Sequence, residues 1–550
     1  MTSMTLTETP VPPSPVSATH GITGKESWVL GTQLQRHAAE RPDAPFLTFE
    51  FAESLTFAES LERSECLGAG LAELGVQHGD RVVMLMENSI EIMLTWFATN
   101  LLGAVEVPIN TAYQGMILEH TFNNCGARVA VVDAQYLPRL LDSAPKLHHL
   151  EKVVVVGAPS VELPWPVSAF DDVASAARIP STPVSYRDLA AIMYTSGTTG
   201  PSKGVLTPHA LAYTLGRQTM ERLAITADDT YYVCLPLFHS NAQYVQVYAA
   251  LIAGAQVAIA RRFSASGWLD DIRRSKATVS SLLGVMAQFI YAQPAGQRDR
   301  DHGLRRVVAI PMPSTIAEDF SQRFNIDCVE SYGMTEASLV MWRPEGTPLR
   351  PGSCGKPLSD EYDVAVIDPD TDEPVPPGEV GEIVIRPKRA WTMALGYHDM
   401  PEQTTEAWRN LWFHTGDAGR VDEEGYFYFV DRIRDRIRRR GENVSSFDIE
   451  AALSEYPGVV ECAAVGVPAD EGDDEIKVSL VSNAEVDCID LIEHCRRRLP
   501  YFAVPRYVEI LAELPKTPNG KILKREIRNQ GITGSEWDRV ATGIVIGRNS

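Results

Sequence analysis

The stretch "AAIMYTSGTTGPSKGV", residues 190–205, runs an apolar strand directly into a loop of glycines, hydroxyl side chains and one lysine. Gly197, Gly200 and Gly204 share that loop with Thr195, Ser196, Thr198, Thr199 and Lys203. Glycines let a backbone bend around an anion, and exposed N–H and O–H groups then donate to phosphate oxygens. This is not a Walker A loop, because Gly204 follows Lys203 where that loop requires Ser or Thr. A plain Ser/Thr/Gly linker is the alternative, but it gives no reason for a buried strand to lead straight into it.

Outward from this loop, short β-branched runs alternate with helix-length amphipathic stretches through the first 340 residues. Residues 81–86, 128–134, 152–157, 190–197, 230–236, 306–311 and 327–333 read as buried strands, with helices at 56–75 and 88–102 among the segments between them. That alternation predicts α/β layers with largely parallel sheets. From about 350 the texture becomes turn-rich and strand-rich ("DPDTDEPVPPGEVGEIVIRP", "EEGYFYFVDR"), which predicts a small β-subdomain. After "DRIRDRIRRRGENVSS" (431–446), Ser445 and Asp448 have the spacing of a capping box, and a compact α+β unit follows. The expected organisation is a flexible tail over 1–27, a large α/β domain over 28–433, a small α+β domain over 434–537 and a second tail over 538–550.

Bulk properties narrow the function. A length of 550 residues predicts two or more domains. The net charge of −22 opposes general binding to nucleic acid or anionic membrane, although the arginine cluster at 432–440 suits a compact polyanion such as a nucleotide. Eight scattered cysteines, with no C-x-x-C pair, fit free thiols in a reducing cytoplasm better than a zinc site. The N-terminus has no basic residue before Lys25 and no apolar core, so it reads as neither a signal nor a transit peptide. The longest near-apolar runs, 92–105 and 247–260, fall short of the roughly 20 residues that span a bilayer.

Five further motifs follow the Gly-rich loop in order: "LPLFH" (235–239), "SYGMTE" (331–336), "WFHTGD" (412–417), the arginine run, and "PKTPNGKILKRE" (515–526). Each is weak alone, since a single His239 or Glu336 is more often a packed or surface residue than a ligand. As a series over roughly residues 30–535 they resemble the adenylate-forming superfamily of acyl-CoA synthetases, luciferases and peptide-synthetase adenylation domains. Within it, "YFYFVDRIRDRIRRRGENVSSFDIE" and "PKTPNGKILKREI" look most like the carnitine/crotonobetaine-CoA ligase branch.

The resemblance implies an enzyme that joins a carboxylate to ATP, releases pyrophosphate, and then lets the CoA thiol displace AMP. Bringing a carboxylate against a polyanion requires cations. Lys521 matches the lysine that bridges carboxylate and α-phosphate, Glu336 the Mg²⁺ ligand and Thr335 the α-phosphate contact. Asp417 would accept from the ribose hydroxyls, Arg432 would reach the ribose, and Tyr332, flanked by Ser331 and Gly333, would stack on adenine. His239 stands at the gate between nucleotide and acyl pocket. Arg434 falls on the hinge, where the family usually has Asp or Lys. Rotation about it would bring in the face carrying Arg438 and Gly441, with Arg439, Arg440 and Lys477 as candidates for CoA phosphates. The acyl pocket would be lined by Ser240, Asn241, Gln243, Ala309, Ile310, Pro311 and Trp342. Its substrate would be a carnitine- or crotonobetaine-like acid or another small, branched, aromatic or steroid-side-chain acid.

Other readings stay open at this level. A peptide-synthetase adenylation domain loading a carrier would normally place an Asp just after the "PLF" segment, where this chain has His239, Ser240 and Asn241. A luciferase-like oxygenase shares the scaffold, but no residue points to oxygen chemistry. A non-catalytic nucleotide-binding relative can claim only Arg434. The enzyme is expected to be cytoplasmic, a monomer or homodimer, with no nucleic-acid partner.

Overall fold

A computed structural model describes residues 24–178, 182–195, 202–310, 312, 316–369, 371–432, 436–439, 442–469, 474–515, 522 and 524–547. The expected strands form within one or two residues of their apolar runs, except that the run at 230–236 is strand only over Thr230–Val233. The helix Phe57–Glu73 starts where its sequence says it should. Thr56 Oγ1 accepts from Glu59 N–H at 3.2 Å, and Glu59 Oε2 accepts from Thr56 N–H at 2.8 Å, a complete capping box.

Two large sheets carry the first 432 residues. One has seven strands in the order Val167–Ala169, Lys152–Val156, Val129–Asp133, Arg81–Leu85, Val105–Pro108, Leu189–Thr195 and Lys203–Pro208. All of its neighbours are parallel except the last pair, where the chain turns back through the Gly-rich loop with Thr195 opposite Lys203. Continuous Val/Ile runs such as "VAVVD" are what a parallel sheet covered on both faces requires.

The second sheet has thirteen strands. Its parallel half runs from Pro45–Phe49 through Gln256–Ile259, Thr230–Val233, Val279–Leu283 and Arg306–Ile310 to Asp327–Met334. Ser338–Trp342 then pairs antiparallel with Asp327–Met334, and the turn-rich strands after 350 extend the sheet from there. The β-rich segment is therefore joined edge to edge with the α/β core rather than set apart from it.

The C-terminal unit contains the hairpin Arg436–Arg439/Glu442–Ser445, the helix Ser446–Ser454 and a four-stranded sheet. One hydrophobic cluster reaches from the seven-stranded sheet (Val83, Val107) into this unit (Ile437, Val444, Ile449, Leu453). Part of each expected tail packs against the body of the protein. Lys25–Trp28 forms a 3₁₀ turn that stacks Trp28 on Tyr213, with ring centres 5.6 Å apart. At the other end, Trp537–Asp538 adds a strand beside Tyr507–Ile510. The buried Arg539 donates to the carbonyls of Pro505 and Ile544, and Ile546 joins the interdomain apolar cluster. These contacts hold down a segment that composition alone marked as loose. Among the described residues no helix is long and apolar enough to cross a membrane.

Candidate active site

Strand ends bring the motif residues together. Ser331, Tyr332 and Gly333 lie near the end of Asp327–Met334, and the register with Ser338–Trp342 shifts between Tyr332 and Met334. That shift requires glycine, because a Cβ on Gly333 would lie 2.0 Å from the carbonyl oxygen of Ser338. Ser331 uses its hydroxyl structurally, donating to Met341 O at 2.9 Å. Tyr332 donates to Asp417 Oδ2 at 2.7 Å, tying "SYGMTE" to "WFHTGD" through a buried charge-assisted bond. Asp417 stands opposite Arg432 in the antiparallel pair Phe413–Val421/Phe427–Arg432, so the two ribose candidates are cross-strand neighbours.

The rest of "FHTGD" supports this aspartate. Thr415 donates to Ile383 O at 2.6 Å and accepts from Asp417 N–H at 3.1 Å. Buried His414 pairs with Glu382 at 2.9 Å. Burial disfavours the Glu382 carboxylate, but His414, the Gly416 N–H and Arg409 together hold its pKa below the ordinary value.

On the facing side, Lys203 Nζ lies 4.5 Å from the centre of the Tyr397 ring, and the Tyr397 hydroxyl donates to Glu336 Oε1 at 3.1 Å. Tyr397, from "ALGYHDM", thus links the Gly-rich loop lysine to the candidate metal ligand. It carried no sequence signal beyond a Gly-Tyr pair. Thr335 Oγ1 and Ser240 Oγ are 3.1 Å apart, which joins the candidate phosphate contact to the first of the acyl-pocket candidates. His239, the expected gate residue, places Nε2 3.5 Å from Glu442 Oε2, contributed by the C-terminal hairpin. Glu442 was not singled out from sequence, although it stands in the "GEN" turn that closes the arginine run.

Ser196, Gly197, Thr198, Thr199, Gly200, Pro311, Arg434, Arg440, Gly441 and Lys521 lie outside the described residues, and Arg432 and Arg438 are described only by their backbone. The remaining acyl candidates divide. Ser240 leads into an eight-residue π-helix, Asn241–Tyr248, a rare element that recurs at functional sites. There Asn241 accepts from Gln246 at 2.9 Å, while Gln243 and Tyr244 donate to the two oxygens of Glu106 at 3.0 and 2.8 Å. Glu106 is fully buried among neutral donors, so burial drives its pKa well above the ordinary carboxylate range. Ile310 ends its strand half-buried, whereas Ala309 is buried between Leu282 and Glu330. Trp342 is a core residue, 2% exposed, with its indole N–H on Leu339 O. It does not belong with the pocket candidates.

Two of the CoA candidates are also corrected. Arg439 is buried, donates to Phe502 O and Val504 O, and pairs with Glu475 at 2.7 Å. Lys477 is fully buried between Glu509 (3.1 Å), Glu536 (2.6 Å) and the Gly531 carbonyl (2.9 Å). Both guanidinium and ammonium are committed to internal partners, because an unpaired buried charge is too costly. The domains instead leave a cleft of about 310 Å³ between them, lined by Arg139, Tyr136, Arg496 and Tyr501. The run "CRRRLPYF" (495–502) was the available signal for it.

A family model described as AMP-binding enzyme matches residues 34–398, and one described as AMP-binding enzyme C-terminal domain matches residues 448–521. The crotonobetaine/carnitine–CoA ligase of Salmonella heidelberg (strain SL476) is 33% identical over 470 residues, covering 83% of this chain and 89% of that protein. A double mutant of o-succinylbenzoate CoA synthetase (MenE) from Bacillus subtilis, bound with its product analogue OSB-NCoA, is similar with a TM-score of 0.80 at 25% identity, covering 91% of this chain and 98% of that one. The same synthetase in complex with its acyl-adenylate intermediate OSB-AMP gives a TM-score of 0.64 at 25% identity over 90% and 97%. The chain therefore belongs to the AMP-binding enzyme family and is an AMP-forming acid–thiol ligase, an acyl-CoA synthetase.

Proposed function

We propose that this enzyme activates a small carboxylic acid, with crotonobetaine and carnitine as the first candidates, in two half-reactions served by two positions of its C-terminal domain. The observation that carries the two-position reading is the likeness to one synthetase in two states. The arrangement here scores 0.80 against the form holding a CoA product analogue and 0.64 against the form holding the adenylate. Glu442 reaching His239 at 3.5 Å fits the same arrangement, since the C-terminal hairpin then stands at the gate. The 33% identity to a crotonobetaine/carnitine–CoA ligase supports the substrate class.

In the first half-reaction the acid's carboxylate attacks the α-phosphorus and pyrophosphate leaves. Thr195, the Gly-rich loop and Lys203 hold the phosphates, Asp417 and Arg432 the ribose, and Thr335 the α-phosphate. Lys521 bridges the two anions as they meet. The donor set suits Mg²⁺: Glu336 offers a hard oxygen, and Mg²⁺ commonly takes one or two carboxylates plus substrate phosphates. When bound, the ion neutralises phosphate charge. In the second half-reaction the CoA sulfur attacks the acyl carbon and AMP leaves, with Arg139 and Arg496 meeting CoA phosphates in the interdomain cleft. Eight free cysteines support a cytoplasmic setting.

The test measures pyrophosphate and AMP release over an acid panel that begins with crotonobetaine and carnitine, with and without CoA. Acid-dependent pyrophosphate release, with AMP release requiring CoA, is expected. Folded protein that releases no acid-dependent pyrophosphate overturns the substrate class, and AMP release indifferent to CoA points to carrier loading. Lys521→Ala should abolish adenylation while sparing thioester formation from supplied acyl-adenylate; equal loss of both steps removes the two-position reading.

A further inference from the structure

We infer that Gln114 is a cross-domain latch, a positioning residue that holds the C-terminal domain in the arrangement for thioester formation. The inference rests on the two-position reading above. Its starting point is an unmet need in the C-terminal domain. The helix Cys488–Arg496 ends in "RRRLP", and the last carbonyls of a helix have no partner within it. Pro500 has no N–H to offer them. Arg497 N–H and Arg498 N–H turn back to earlier carbonyls, those of Glu493 and Cys495. The carbonyls of Arg496 and Leu499 receive their donor from the other domain: Gln114 Nε2 donates to both, at 2.6 Å for Leu499.

The N-terminal domain presents Gln114 for this task. Asn110 folds the segment, its carbonyl accepting from Tyr113 N–H and its Oδ1 from Ala112 N–H at 2.9 Å. Gln114 occupies the cap position of the helix Gly115–Cys125, but its side chain does not cap that helix. The next residue has no side chain at all. Gly115 sits at φ +55°, and a Cβ there would lie 3.2 Å from Arg498 Cα and 3.4 Å from its carbonyl oxygen, so the two backbones approach closely at this point. On the other flank, buried Tyr113 interacts with Ser202 at the exit of the Gly-rich loop. Burial raises its pKa, and the carboxylates of Asp448 and Glu442 push in the same direction. Residues 113–115 therefore link Ser202, at the exit of the Gly-rich loop, to the capped helix end, within electrostatic reach of the hairpin that carries Glu442. Rotating the C-terminal domain away would break both Gln114 hydrogen bonds together.

The test uses Gln114→Glu, which keeps size but has no donor, and Gln114→Lys, which keeps donors on a stem of similar length. Hydrogen exchange on the ligand-free protein reads the latch directly. Gln114→Glu should raise exchange in the segments 111–118 and 494–503 together, leave the sheet interiors unchanged, and be largely restored in Gln114→Lys. With the most active panel acid and saturating CoA, single-turnover thioester formation from pre-formed acyl-adenylate should fall about tenfold in Gln114→Glu, the scale of losing two hydrogen bonds from one state. CoA-free pyrophosphate release should stay within about twofold of the parent. Unchanged exchange in both segments overturns the latch, as does equal slowing of both half-reactions or normal thioester formation despite raised exchange. Equal loss of both half-reactions in Lys521→Ala overturns instead the two-position reading on which the latch depends.

Discussion

Two charged regions of this molecule look alike in sequence and differ in kind. At the candidate nucleotide face, Glu336, Asp417 and Lys203 are joined through tyrosine rings and hydroxyls, Tyr397 and Tyr332, to parts of the chain more than 50 residues away. In the C-terminal domain, Lys477 meets Glu509 and Glu536, and Arg439 meets Glu475, as ion pairs whose cations are buried. The first arrangement places ionised groups where a phosphate, a ribose or a metal ion can join them. The second has no place for a further partner. Burial disfavours the charge on Glu536, yet Lys477 and the N–H groups of Thr533 and Gly534 hold its pKa down at about 2. A cation that is paired so completely fastens the C-terminal segment 531–536 to the domain and is not available to CoA.

The contrast can be broken experimentally. Lys477→Met should destabilise the protein by about 3 to 5 kcal/mol, because it leaves two buried carboxylates without their cation. Urea unfolding measures this, and the KM for CoA of the protein that remains folded should match the parent. An intact midpoint with a raised KM would return Lys477 to the CoA site. Glu336→Gln should do the reverse. It keeps an acceptor for Tyr397 and removes the charge, so pyrophosphate release should fall roughly 10²–10³-fold while the thermal midpoint moves by about 3 °C or less. A collapse of the midpoint would make Glu336 a structural residue.

Glu330, buried one strand position before Ser331, sharpens the same point through pH. Burial lifts its pKa to about 7, against the opposing pull of the Arg350 N–H and Arg343. The unfolded chain ionises this group near 4.5. Between those values the folded state binds more protons, so stability falls as pH rises through that window, by on the order of 3 kcal/mol. Glu330→Gln should flatten this slope in urea midpoints taken at pH 5 and pH 8. Identical slopes in parent and variant would show that Glu330 is ionised across the range.

Much of the fold was legible because its causes are local. An apolar β-branched run makes a strand wherever it is covered, and Thr56 with Glu59 starts a helix through atoms three residues apart. The site residues were legible in a weaker sense. Tyr332, Thr335, Glu336, Asp417 and His239 could be named as candidates only because the ordered series of motifs that holds them resembles the adenylate-forming superfamily. Their connections could not be named. Tyr397, Glu442 and Glu382 matter through contacts spanning dozens to hundreds of residues, and nothing next to them in the chain marks that.

The arginine run draws the line most clearly. The sequence by itself placed a cationic run at the boundary between a large α/β domain and a small α+β domain, since strand runs, turns and charge are written locally. Only the tertiary structure decided that Arg439 turns inward to Phe502, Val504 and Glu475 while Glu442 turns outward to His239. It also decided that a glutamine 382 residues before Arg496 completes that residue's helix end. A side chain's charge is fixed by its chemistry, but its role is fixed by which groups replace water around it, and those come from other parts of the chain.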